Sequence, residues 1–110
     1  MMLRINKTDV WAATMTDEPG SLAQALQNLA DADVHLECVI ARRHPELPGN
    51  CTAFVTPING AQLQARSPDS GFHPAPHMPT LRIEGTNRPD TGALIAKTIG
   101  DAHVSMHGLS

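Results

Sequence analysis

A chain of 110 residues with a formal net charge of -3 and one adjacent basic pair, Arg42 and Arg43, holds one compact domain or two very small fused units, and it offers no cationic stripe to a phosphate backbone. Aromatic residues make up only 3%, so a core must be built from Leu, Ile, Val, Ala and Met around Trp11, Phe54 and Phe72. No apolar run approaches the ~20 residues that span a bilayer, and the N-terminal stretch lacks the apolar run of a signal peptide, so a soluble, cytoplasmic protein without nucleic-acid or membrane partners is expected.

Residues 10–16, VWAATMT, suit a first strand that ends at the polar cluster DEPG. Pro19 then fits the first turn of a helix, where a missing N–H is harmless, and Asp17 or Glu18 can cap the orphan amides. Leu22, Ala25, Leu26 and Leu29 recur at helical spacing, while Gln24, Gln27, Asn28 and Asp31 occupy the other face. That pattern predicts an amphipathic helix lying on a sheet.

After Asp33 the period falls to two: Val34, Leu36, Cys38 and Ile40 alternate with His35, Glu37, Val39 and Ala41. A second strand is expected over residues 34–40, then a turn at HPELPGN and a third strand over residues 51–58, forming a hairpin that sets Cys51 opposite Arg43 or His44. In that register Cys38 and Cys51 do not face each other, and two buried free thiols are expected. Residues 59–79 are proline-rich, with room for a short helix over residues 61–66 and otherwise loop, and TLRIEG reads as a further strand.

Residues 86–110 then repeat the earlier motif at a constant offset of 70: Thr16 with Thr86, Pro19 with Pro89, Ala23 with Ala93, Asp31 and Ala32 with Asp101 and Ala102, Val34 with Val104. Ile95, Ala96 and Ile99 continue the apolar stripe. Such agreement through turn, helix and helix exit predicts an internal duplication. The second copy has no counterpart of the hairpin strand at residues 51–58, so a missing strand is expected from a neighbouring chain or a longer parent protein.

The run Asp17-Glu18-Pro19-Gly20-Ser21-Leu22 resembles the D-x-P-G-x-L signature of the ACT domain, a small βαββαβ module that binds amino acids, and the resemblance extends over residues 8–110. It implies an α+β, ferredoxin-like fold, an antiparallel sheet with helices on one face. The first ACT unit would occupy residues 8–79 and a partial second unit residues 80–110, the strand at Leu81 being a candidate to close the first sheet as well as open the second. It also implies a ligand site at the strand-to-helix turn, near an interface between units. A glycine at position 20 lets a ligand approach the backbone, and first-turn amides suit a carboxylate. Asp17, Glu18, Pro19, Gly20, Ser21 and Leu22 would line the first site, with His35 after the helix, where many members carry Asn. Asn87, Asp90, Gly92 and Ser105 would line the second, which departs further from the pattern.

The expected function is non-catalytic regulation by an amino acid or similar small metabolite, in a homodimer and with a metabolic enzyme as a further candidate partner. A ligand-free dimerisation module is the alternative. His73, His77, His103 and His107 raise a third reading, a small metal-binding protein. No completed ligand set supports it, and neither metal nor cofactor is expected. No catalytic constellation stands out, so the chain reads as a non-enzyme.

Overall fold

The computed structural model describes residues 3–110. These divide into two compact units, one spanning residues 7–81 and the other formed by residues 3–6 with 82–110. The elements in chain order are β1 (Arg4–Thr8), β2 (Trp11–Thr16), α1 (Ser21–Asp31), β3 (Cys38–Arg43), β4 (Asn50–Thr56), α2 (Ala61–Arg66), a 3-10 turn (Ser67–Ser70), β5 (His73–Pro74), β6 (Thr80–Glu84) and α3 (Thr91–Asp101).

In the larger unit the sheet order is β3-β4-β2-β5, and β4 and β5 both pair antiparallel with β2. The same strand alternation that suits a half-buried sheet sends Trp11, Ala13, Ala53 and Val55 to one face, where they pack with Leu29 of α1, Val34, Ile58 and Phe72. Leu22, Ala25 and Leu26 of α1 and Leu63 of α2 lean on this core, so both helices cover one face. The architecture is α+β and ferredoxin-like, as the resemblance implied.

The hairpin register places Arg43 opposite Cys51 and Cys38 opposite Thr56. The two thiols are free and five rungs apart on neighbouring strands, roughly 16 Å at ~3.3 Å per residue, which excludes a bridge within the chain.

Several elements differ from their sequence expectation. Pro19 lies before the helix rather than in its first turn, because Gly20, at φ 89°, is the N-cap residue. No side chain caps α1, so neither Asp17 nor Glu18 plays that part. The strand expected from residue 34 begins at Cys38. The Asp33 backbone is left-handed at φ 64°, and the Val34 amide turns back to the Leu29 carbonyl at 3.0 Å, which ends the helix and buries Val34 beneath it. The edge position open to a strand at Leu81 is held instead by β5, fastened by its pairing to Trp11 and Ala12 and by the Ala75 amide on the Val10 carbonyl at 2.9 Å.

β6 pairs with β1 in a separate two-stranded sheet that includes residues of the second unit, β1 being a strand that the sequence does not set apart from the N-terminal stretch. α3 follows, carrying a Lys97 to Asp101 ion pair at 2.6 Å one turn apart. His103 is left-handed at φ 60°, and residues 104–106 form no strand. The backbone hydrogen bonds at the helix ends coincide with those of α1 at positions 70 apart: Ser21 to Glu18 and Thr91 to Arg88, Gln24 to Gly20 and Leu94 to Asp90, Val34 to Leu29 and Val104 to Ile99. None of the described residues in this unit is buried.

Candidate functional site

The corner between β2 and α1 gathers the first set of sequence-derived candidates. Strand β2 ends when the Glu18 amide turns back to the Thr16 carbonyl at 2.9 Å, and the Ser21 amide bonds the Glu18 carbonyl at 3.2 Å. Gly20 completes the turn in a left-handed conformation that a side-chain-bearing residue adopts only with strain. Space is not its constraint, since a Cβ there would meet nothing within 4 Å. With no capping side chain, the first turn of α1 keeps amide donors directed outward, the positive end of the helix dipole.

Folding adds a residue that the motif did not contain. The β3–β4 register carries Arg43 to the level of Cys51, whose β2 partner is Met15, one step before Thr16. From there Arg43 Nε donates to Asp17 Oδ2 at 2.8 Å, and the Asp17 amide donates to the Gly49 carbonyl at 2.9 Å. The hairpin tip is thus latched to the turn at two points. The Asp17 carboxylate is balanced by a guanidinium, and the corner offers an anion both backbone amides and a planar cationic fork. The predicted opposition of Cys51 and Arg43 was the signal that could have found this contact, once extended by two residues along β2.

A cleft of about 290 Å³ lies beside the corner, between α1 and the 3-10 turn, lined by Ala13, Met15, Ser21, Gln24, Asn28 and Ser70 among others. Its helical wall is polar and ordered, with Gln24 Nε2 donating to Asn28 Oδ1 at 3.0 Å. Ser21 belongs to both the cleft and the corner. Asp17, Glu18, Pro19 and Leu22 do not line the cleft.

His35 is not brought to this corner. It is exposed, 3.3 Å from Asp33, just beyond the C-terminal end of α1. The helix has 11 residues, so at ~1.5 Å of rise per residue His35 and Gly20 are roughly 16 Å apart along the axis.

The second set lies in the other unit. Asp90 is the N-cap residue of α3, in a right-handed conformation at φ -96°, and its side chain forms no cap. It lies 3.7 Å from Arg88, whose amide donates to Thr91 Oγ1 at 3.3 Å. Thr91 Oγ1 in turn donates to the Thr86 carbonyl at 3.1 Å, so the turn around Asn87 is tied down by a hydroxyl rather than by a glycine. Gly92 is exposed in the first turn of α3, and Ser105 is exposed beyond its end. Among the described residues no cluster of three or more His, Cys, Asp or Glu is arranged to hold a metal, and no helix is long and apolar enough to cross a membrane.

No protein-family profile and no curated protein sequence matches this chain. Among solved structures, the fold is similar to that of the regulatory subunit of aspartate kinase from Thermus thermophilus in its ligand-free form. The similarity has a TM-score of 0.55, covers 98% of this chain and 80% of that one, and accompanies 17% sequence identity. At that identity it establishes the fold.

Proposed function

We propose that this chain is a non-catalytic regulatory protein of the ACT type, which binds an amino acid or similar small metabolite at the β2–α1 corner and responds by changing how copies of the chain associate. The observation carrying the reading is the uncapped first turn of α1 beside the Arg43–Asp17 pair. An α-carboxylate would take the free amides and the guanidinium, each charged hydrogen bond contributing roughly 1.5–3 kcal/mol. An α-ammonium would take Asp17 or Glu18. His35, a helix length away, would reach such a ligand only from a second copy, which is the reason to place the site at a homodimer interface. The hydrogen bonds repeated 70 residues apart support an internal duplication, with Asn87, Asp90, Gly92 and Ser105 marking a degenerate second corner. The structural likeness to an aspartate kinase regulatory subunit supports a regulatory role and a metabolic enzyme as partner.

A ligand can shift association only through a difference in affinity between the two packings, so binding and assembly must be measured together. Calorimetric titration with each standard amino acid, paired with sedimentation, is the test. Heat from at least one of them, weakened by Arg43→Ala and accompanied by a change in sedimentation, is expected. No heat from any, with the protein folded, overturns the reading. The second reading, a ligand-free dimerisation module, is favoured by the exposed Val39 and Ile40 on edge strand β3, and it predicts a dimer indifferent to amino acids.

A further inference from the structure

We propose that Asn59 is a self-modifying site, whose side chain converts through a cyclic imide to isoaspartate at the entrance of α2. Asn59 is followed by Gly60, and both are exposed. Glycine leaves the attacking amide unshielded, and even a Cβ added at Gly60 would have open space around it, so the approach is free of neighbouring atoms as well. Among the described residues the Gly60 amide donates to no acceptor, so no hydrogen bond holds it back.

The chemistry needs only water. The Gly60 amide nitrogen attacks Cγ of Asn59; the new N–Cγ bond closes a five-membered imide, the Cγ–Nδ2 bond breaks, and the proton lost by the Gly60 amide leaves on ammonia. Water then opens the ring. Attack at the side-chain carbonyl gives aspartate, and attack at the main-chain carbonyl gives isoaspartate, in which the backbone runs through Cβ and Cγ. Nothing is oxidised or reduced, and one negative charge is gained.

The location gives this change a structural effect. Ile58, immediately before Asn59, is a buried core residue whose carbonyl accepts from Gln64 Nε2 at 3.1 Å, and the Gly60 carbonyl accepts from the Gln64 amide at 3.0 Å. Gln64 therefore clamps the start of α2 to the core across the bond that isoaspartate lengthens. Beyond α2 lie buried Ser67, which bonds the Leu63 carbonyl at 2.7 Å, and Ser70 and Gly71, which wall the cleft beside α1. Isoaspartate loosens that wall; aspartate, with the same charge and a normal backbone, does not.

The test is to hold the purified full chain at mildly alkaline pH and map its peptides by mass, scoring isoaspartate by enzymatic methylation of its free carboxylate. The other asparagines are internal controls: Asn6, Asn28, Asn50 and Asn87 precede Lys, Leu, Cys and Arg. Conversion at Asn59 is expected roughly tenfold faster than at any of them, because only its neighbour lacks a side chain. Asn59→Ser should abolish the isoaspartate signal. Asn59→Asp, placed beside aged wild type, should keep α2 amide protection that the aged protein loses. Equal rates at all asparagines, a signal that survives Asn59→Ser, or unchanged α2 protection in fully converted protein would each overturn the proposal.

Discussion

Two stretches of this molecule share their local hydrogen bonds and differ in what surrounds them. Trp11 is 4% exposed and Leu81, 70 positions on, 55%; Val34 is 9% exposed and Val104 56%. The 11-residue helices and the left-handed exits match, while the turns diverge, with a left-handed Gly20 before one helix and a right-handed Asp90 before the other. What the second lacks is a counterpart of β3 and β4, the hairpin that supplies Ala53 and Val55 to the core of the first. A strand–turn–helix is written in local sequence, but its burial is supplied by strands from elsewhere, and a two-stranded sheet with one helix has little apolar surface to hide.

The comparison is broken most forcefully in the core. Phe72 is fully buried, so Phe72→Ala should destabilise the larger unit by about 3–5 kcal/mol in urea titration, whereas Ile99→Ala in α3, where nothing is buried, should cost about 1 kcal/mol or less. Equal losses would mean that α3 has a core after all. The helix exits sharpen the contrast at a smaller scale. Replacing a left-handed Asp33 by glycine relieves strain and should raise stability by about 0.5–1 kcal/mol, while His103→Gly, at the same backbone position, should leave the main unfolding midpoint unmoved. The smallest effect is expected at Arg43. Its pair with Asp17 is largely exposed, and Arg43→Ala should cost only about 0.2–1 kcal/mol while weakening any carboxylate ligand far more.

Legibility in the sequence followed the range of the interactions. The apolar stripe of α1, its echo in α3, and the register bringing Cys51 to Arg43 were all readable, because each depends on spacing within a few dozen residues. β1 was not: RINKT carries one apolar residue, and its partner β6 begins 76 residues after it, at Thr80 against Arg4. β5 is two residues ending in proline, too short for any periodicity, and it forms because Trp11 and Ala12 offer an edge. Strand β3 began four residues late because the exit of α1 claimed Asp33 and Val34. At the candidate site the turn could be read directly, but the Arg43 contact depends on the hairpin closing, and the separation of His35 from Gly20 depends on the direction of the helix.

The sheet of the larger unit ends on one side in Pro74, which has no N–H to give an incoming strand, and on the other in β3, whose outer rim carries ordinary peptide groups. β5 reaches only Trp11 and Ala12 of β2, so the six residues of β3 form the longest continuous open rim of this sheet.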